Sequence, residues 1–362
     1  MNSGLDGIVV ADTILSDVDG EAGRLMLRGH RLGSLAGHWR FEAVAALLFD
    51  GFFQDLPTPD AFAHQLGKAR AEVFVEVETA DSRLWGLPPF DAMRALTARL
   101  ADGDDLATAL HLLAAPAVFT AAALRRAQGE DPIAPDPMQS HAADCLHMLK
   151  GIAPSAEAEQ ALDTYLVTVA DHGLNASTFA ARVVASTRAG LTSAALAALG
   201  ALKGPLHGGA PGPVLDMLDA IGTPERAEGW ISAALDRGER LMGFGHRVYR
   251  VRDPRADALK AALHRQAAAA CASPRLALAE TVEAAALRQL ALAKPDRPLK
   301  TNVEFYTALL LDALGYPRTA FTCVFAMGRM AGWIAHAREQ AATGRLLRPQ
   351  SRYIGPVETE AA

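Results

Sequence analysis

From about Phe41 onward the chain is written almost continuously in helical spacing, and this constrains its fold more than any other feature. Segments such as FEAVAALLFDGFF, FDAMRALTARLA, LATALHLLAAPAVFTAAALRRA and ARVVASTRAGLTSAALAALGALKG repeat apolar residues three and four apart and are filled with strong helix formers. The expected fold class is all-α. The opening is different: GIVVADTILSDVDGEAGRLMLRG sets β-branched and apolar runs around Asp19-Gly20 and Gly23, the texture of a short extended segment or of short strands.

At 362 residues the chain exceeds the size at which one hydrophobic core keeps growing, so two domains are expected. Half of the residues are hydrophobic, enough for a substantial core, yet apolar runs such as Ser193 to Leu202 are too short to cross a bilayer, and no membrane span is expected. The first residues lack the basic and continuous apolar regions of a secretory signal, which points to the cytoplasm. A net charge of −6 argues against a nucleic-acid partner, although a local basic cluster still suits an anionic ligand. Cys145, Cys271 and Cys323 stand far apart, in the spacing of neither a zinc site nor a disulfide framework, and are expected to be buried, reduced thiols. No metal site is expected.

Breaks punctuate the helices. GEDPIAPDPMQS carries Pro132, Pro135 and Pro137 and reads as a surface excursion or a connection between helices. HGGAPGP near Gly212 and the Gly315-Tyr316-Pro317 turn bracket a segment that suits a second domain inserted into the first. No internal repeat is present.

Four constellations have chemical potential. GPLHGGA holds His207 between glycines at a helix junction, where a ligand can approach the backbone; read alone, it is equally a connector with an incidental histidine. MGFGHRVYRVRDPR crowds Arg247, Arg250, Arg252 and Arg255 behind the Gly243-Phe244-Gly245 turn and His246, a pattern suited to carboxylate or phosphate; the plain alternative is a solvated basic loop. It is not a dinucleotide fingerprint, because Val248 stands where the third glycine belongs. ADHGLNAST places His172 and Asn175 three apart, which predicts one shared helix face. TNVEFY, GRMAGW and RPQSRYIGP bring Asn302, Glu304, Arg329 and Arg348, of which Arg329 lies in an apolar, small-residue helix where a charge needs a partner or a ligand.

Together and in this order, GPLHGGA, MGFGHRVYRVRDPR, NVEFY, GRMAGW and RPQSRYIGP resemble the citrate synthase family, and the opening segment and ADHGLNAST are similar to that family's N-terminal segment and helical histidine motif. The resemblance covers nearly the whole chain. It implies a helical homodimer with a large domain formed by residues 1–211 and 317–362 and a small domain inserted at 212–316, the cleft between them closing on substrate. It implies condensation of acetyl-CoA with oxaloacetate, with the CoA thioester as co-substrate and no permanently bound cofactor. His207 would polarise the thioester carbonyl, Glu304 would remove the α-proton and His246 would protonate the 2-oxo oxygen. His172, His246, Arg255 and Arg329 would hold oxaloacetate with Asn175 in support, and Arg348 would enter from the other subunit. Gly243, Gly245, Arg250 and Asn302 would serve CoA.

The resemblance leaves alternatives. A 2-methylcitrate synthase using propionyl-CoA would carry the same machinery, since one methyl in a pocket is worth roughly 1–3 kcal/mol. A non-catalytic paralogue binding CoA or a carboxylate is the other alternative, because the family usually has Asp where this chain has Glu304. That residue also has a structural reading. Thr301-Asn302-Val303-Glu304 fits a capping box in which Glu304 turns back to the N-cap N–H of Thr301.

Overall fold

The computed structural model describes residue 5 and residues 7–208, 212–246, 248–269, 274–295 and 298–356. Cys271 and Arg247, named above, lie outside the described residues, as do Gly209, Ala210 and Pro211 of the HGGAPGP break.

The opening segment forms a three-stranded antiparallel sheet of β1 (Ser16–Asp19), β2 (Arg24–Leu27) and β3 (His30–Arg31). Its register pairs Ser16 with Leu27 and Asp19 with Arg24, so the turn falls on Gly20 to Gly23 as the sequence suggested. Everything else regular is helical. First come α1 (Leu32–Leu35), α2 (Phe41–Phe49), α3 (Pro59–Glu78), α4 (Pro89–Thr97) and α5 (Leu106–Ala127). Next are α6 (His141–Lys150), α7 (Ala156–Val169), α8 (Ala176–Ala185) and α9 (Leu191–Leu202). The last are α10 (Gly212–Ile221), α11 (Ala227–Asp236), α12 (Pro254–Ala269), α13 (Pro274–Ala293), α14 (Val303–Ala313) and α15 (Phe321–Thr343).

Side-chain oxygens at the helix entrances explain several boundaries. Asp105, Ser140 and Ser155 each accept from the backbone N–H three residues on and so start α5, α6 and α7, satisfying donors that have no intrahelical partner. Gly151, in the left-handed region at φ 73°, ends α6. The Pro-rich connection between α5 and α6 is strapped to α3: Arg70 donates to the carbonyls of Asp136 (3.2 Å) and Gln139 (2.8 Å) and pairs with buried Asp144 at 2.5 Å.

Two helices organise the core. α5 is buried along almost its whole length against α3, α4, α6 and α15. Contrary to the expectation that no stretch is long enough, it has the length and apolar content to cross a bilayer, but 78% of its apolar window is buried inside the protein, as befits a core helix. α15 packs on α5, α7, α8 and α9. Its approach to α7 depends on two glycines: a Cβ at Gly328 would come within 2.7 Å of the Leu166 carbonyl oxygen, and one at Gly332 within 2.4 Å of that of Ala170. Only glycine allows this contact, and it sets the intervening Arg329 beside the C-terminal end of α7. In the later part of the chain α11 packs on α13, α10 on α13 and α14, and α12 on both α14 and α7. Cys145 and Cys323 are buried free thiols, and burial pushes the latter up to about 12.

Candidate active site

The loop that joins α7 to α8 carries the first group of site residues. His172 and Asn175 do not share a helix face. Both belong to the loop, and Asn175 is the N-cap of α8, its Oδ1 accepting from the backbone N–H of Ser177 and Thr178, both at 3.1 Å. A short polar residue before an apolar run is an N-cap signal, and it overrides the three-residue spacing. Ser177 then connects three elements: its Oγ accepts from Trp333 Nε1 of α15 (3.1 Å), lies 2.8 Å from Asn175 Oδ1 and lies 2.7 Å from His207 Nε2. The hydroxyl has one proton and two acceptors within hydrogen-bond distance; turned toward His207, it leaves that ring's own proton on Nδ1. Burial, aided by the charge of Arg329, lowers His207 to a pKa of about 4, so the ring is neutral near pH 7.

Arg329 is fully buried, donates from Nε to the carbonyl of Val169 at 2.6 Å and has no carboxylate within ion-pair distance among the described residues. Burial brings its pKa down to about 10, with Asp171 opposing and Arg255 reinforcing the shift. Its guanidinium carbon lies 4.7 Å from the Phe325 ring centre, and that ring lies 6.2 Å from His207.

The second group hangs on a small clasp. Gly243 and Gly245 both adopt left-handed backbone, φ 84° and 83°, and residues 243–245 pair with residues 300–302. Asn302 N donates to Gly243 O (3.0 Å), Gly245 N to Lys300 O (2.7 Å), and Asn302 Nδ2 to Gly245 O (2.8 Å). The clasp fixes the His246 loop against the start of α14, whose N-cap is Asn302, not Thr301; Asn302 Oδ1 accepts from Glu304 N at 3.0 Å. The capping-box reading of Glu304 is thereby corrected. Thr301 instead donates to buried Glu283 at 2.7 Å, and the half-buried Glu304 carboxylate carries no hydrogen bond or ion pair among the described residues. Burial raises its pKa, with Arg255 and Arg240 opposing.

His246 Nδ1 accepts from the backbone N–H groups of Val248 (3.0 Å) and Tyr249 (3.1 Å), so the ring proton sits on Nε2. That atom faces Arg255 Nη2 at 3.1 Å, donor against donor. Burial and the neighbouring guanidinium accordingly lower His246 to about 4. Arg255 is itself held bidentately by buried Asp253, at 3.0 and 2.8 Å. Tyr249 closes the group: its hydroxyl lies 3.1 Å from His172 Nε2, and the His172 and His246 rings stand edge to face with centres 5.8 Å apart. Burial holds His172 well below its ordinary pKa, with Arg255, Arg329 and His246 adding to the effect.

The structure thus brings together His172, Asn175, His207, His246, Arg255, Glu304 and Arg329: three neutral imidazoles and a carboxyl without a partner among the described residues, beside two buried guanidiniums. It does not bring in Arg348, which is exposed on the extended tail after α15; Leu347 N bonds to Ser186 Oγ at the far end of α8, about 15 Å from Asn175 by helix length. Gly243, Gly245 and Asn302, expected at CoA, spend part of their polar groups on the clasp. Arg250 stays exposed, 3.8 Å from Glu21. Residues that sequence reasoning passed over are Tyr249, Ser177, Asp253, Phe325 and Trp333. All but Phe325 lie inside the quoted motifs, so the signal was present but carried no assigned role.

A family profile described as citrate synthase, C-terminal domain, matches residues 4–350. A citrate synthase from Haloferax volcanii is 36% identical over 375 residues, covering 98% of this chain and 96% of its own length. A 2-methylcitrate synthase from Mycobacterium tuberculosis is 37% identical over 367 residues, covering 98% and 91%. Among solved structures, a citrate synthase from Thermoplasma acidophilum, in ternary complex with carboxymethyl coenzyme A and oxaloacetate, superposes with a TM-score of 0.84 at 26% identity, covering 100% of this chain and 98% of that one. Agreement in motif order, fold and sequence along nearly the entire length has one meaning: the chain belongs to the citrate synthase family.

Proposed function

We propose that the protein condenses acetyl-CoA with oxaloacetate to give citrate and CoA, as a homodimer acting in the cytoplasm. Glu304 takes a proton from the methyl carbon of the thioester, and the developing enolate oxygen accepts from the N–H of neutral His207. The enol carbon attacks the 2-oxo carbon of oxaloacetate, and the oxygen released from that double bond takes the Nε2 proton of His246. Water then cleaves the citryl thioester, freeing citrate and CoA. Arg329, Arg255 and His172 hold the carboxylates and carbonyl of oxaloacetate, Asn175 keeps the His172 loop in place, and Arg348 from the partner subunit completes the set. Arg250 meets the phosphates of CoA. Residues 212–316 act as a small domain that closes on the large one formed by 1–211 and 317–362.

One observation carries this reading. The half-buried Glu304 carboxyl, with a raised pKa and no partner among the described residues, stands with His246 on opposite sides of one clasp, an arrangement that suits a base and a proton donor held together. The test is release of free thiol from acetyl-CoA in the presence of oxaloacetate, with sedimentation at assay concentration to check for the dimer. No release with any acyl-CoA refutes the reading. A 2-methylcitrate synthase is the second reading, supported by a relative of that name at 37% identity, the same identity as a citrate synthase from Mycolicibacterium smegmatis. A higher kcat/KM with propionyl-CoA than with acetyl-CoA decides for it.

A further inference from the structure

The β1–β2 hairpin takes no part in the reaction just described, yet it touches both histidine loops. At its base, Ser16 Oγ donates to buried Asp171 Oδ2 at 2.5 Å and accepts from Gly173 N at 3.0 Å, gripping the His172 loop from both sides. Asp171 is in turn fixed from α15, where His336 Nε2 lies 3.2 Å from the same oxygen and Arg182 donates to His336 Nδ1 at 2.9 Å. At the hairpin tip, Gly20 O accepts from Arg250 N at 2.9 Å. A Cβ on residue 20 would lie 2.1 Å from Val248 O, and one on Gly23 would lie 2.6 Å from Val251 Cγ2. The tip therefore rests on the segment whose Val248 and Tyr249 N–H groups hold His246 Nδ1. Between base and tip run four strand residues, about 13 Å of extended backbone.

We propose that this hairpin is a strut that sets the spacing of His172 and His246, with Ser16 and Gly20 as the positioning residues at its two ends. Neither residue touches substrate. Ser16 acts through Asp171 and Gly173, and Gly20 acts through Val248 and the backbone donors on His246. The kinetic part of the test rests on the reading of the two histidines as oxaloacetate ligands, and the structural part does not.

Gly20→Ala is the direct perturbation. Cβ atoms do not approach other atoms closer than 3.0 Å, so the Val248 segment must retreat by about 0.9 Å and carry His246 with it. A displacement of about 1 Å at a reacting group costs about 100-fold, and kcat/KM for oxaloacetate is expected to fall by that order while the KM for the thioester changes less than about twofold. Ser16→Ala is expected to fall in the same direction, and Ser16→Thr, which keeps the hydroxyl, to recover most of the loss. The Gly20→Ala, Ser16→Ala double variant is expected to be little worse than Gly20→Ala alone, because a strut detached at one end loses nothing more at the other. A crystal structure of Gly20→Ala is expected to show the His172 and His246 ring centres moved from the parent's 5.8 Å. Unchanged kcat/KM for oxaloacetate, a rise in the KM for the thioester as large as that for oxaloacetate, additive losses in the double variant, or no gain from Thr over Ala at residue 16 overturns the strut. So does an unchanged ring separation in Gly20→Ala, even if the parent turns over no substrate, whereas absence of turnover in the parent refutes only the proposed reaction. Should Gly20→Ala not fold, the Ser16 pair carries the test.

Discussion

Glu304→Gln removes one proton-accepting group and almost nothing else. The backbone N–H of residue 304 keeps its bond to Asn302 Oδ1, the side chain keeps its length, and no ion pair or hydrogen bond among the described residues is lost with the charge. The stability change should therefore stay within about 0.5 kcal/mol. A general base contributes about 100- to 10,000-fold to the rate, and turnover should fall by that much, with the dissociation constant of the thioester nearly unchanged. Asp in the same place keeps the base but withdraws its oxygens by roughly one C–C bond, ~1.5 Å, which on the cost of misplacement predicts a loss of at least about 100-fold. The expected order of kcat is Glu, then Asp, then Gln. The pH dependence adds an independent check. A base works only when deprotonated, and burial raises the pKa of Glu304 above the ordinary value near 4.3, so kcat of the parent should fall as the pH drops through a point above that value. The acid limb should vanish from whatever activity Glu304→Gln retains. Thiol release followed from pH 4 to 8, with calorimetric binding of the thioester, measures all of this. Parent-like turnover in Glu304→Gln, or an unaltered acid limb, refutes the assignment of the base.

Arg329 and Arg255 should separate cleanly. Arg329→Ala should raise the KM for oxaloacetate at least about tenfold and, since no carboxylate is orphaned among the described residues, lower Tm less than Arg255→Ala, which leaves buried Asp253 unpaired and should also cost about 3–5 kcal/mol of stability by thermal melting. Asp163, whose only hydrogen-bond donor among the described residues is Phe41 N at 2.8 Å, is raised to about 7 by burial. The folded protein then binds more protons than the unfolded chain between pH 4 and 7, so stability falls as pH rises through that window, and Asp163→Asn should raise the unfolding free energy more at pH 8 than at pH 4, by up to ~4 kcal/mol. Equal gains at both pH values refute that account. Glu283, which accepts from Tyr306, Thr301 and Arg252, is lowered to about 2 despite its burial, so its stabilisation is complete above the ordinary Glu value and lost as pH falls toward 2. Glu283→Gln should lower Tm at pH 7 far more than at pH 3.

The helical class was legible because periodic apolar positions survive any detail of packing. So was the short strand segment, because Gly20 and Gly23 mark its turn. The members of the site were legible as residue types at a junction or behind a turn, yet their local roles were not. Spacing alone put His172 and Asn175 on a helix, because it cannot tell a helix from the cap that begins one. The capping-box pattern at Thr301 misled for the same reason, as Asn302 competes for the cap and wins. The Gly243 and Gly245 pattern looked like a ligand cradle, but its pairing partner lies at residues 300–302, and no local rule connects segments so distant. Arg255 looked like an uncommitted cation two residues after the carboxylate that holds it.

The clasp between residues 243–245 and 300–302 joins positions up to 59 apart in the chain by three hydrogen bonds. It makes the segment carrying His246 and the first turn of α14 a single handle. Anyone retuning the protein for a bulkier acyl group by sliding or tilting α14 will drag His246 through the same displacement, and the two errors will compound. Phe325, on α15 beside His207 and Arg329, lies outside that handle and belongs to a helix anchored at Gly328 and Gly332. Residue 325 is thus a place where side-chain volume can change without altering the distance between Glu304 and His246.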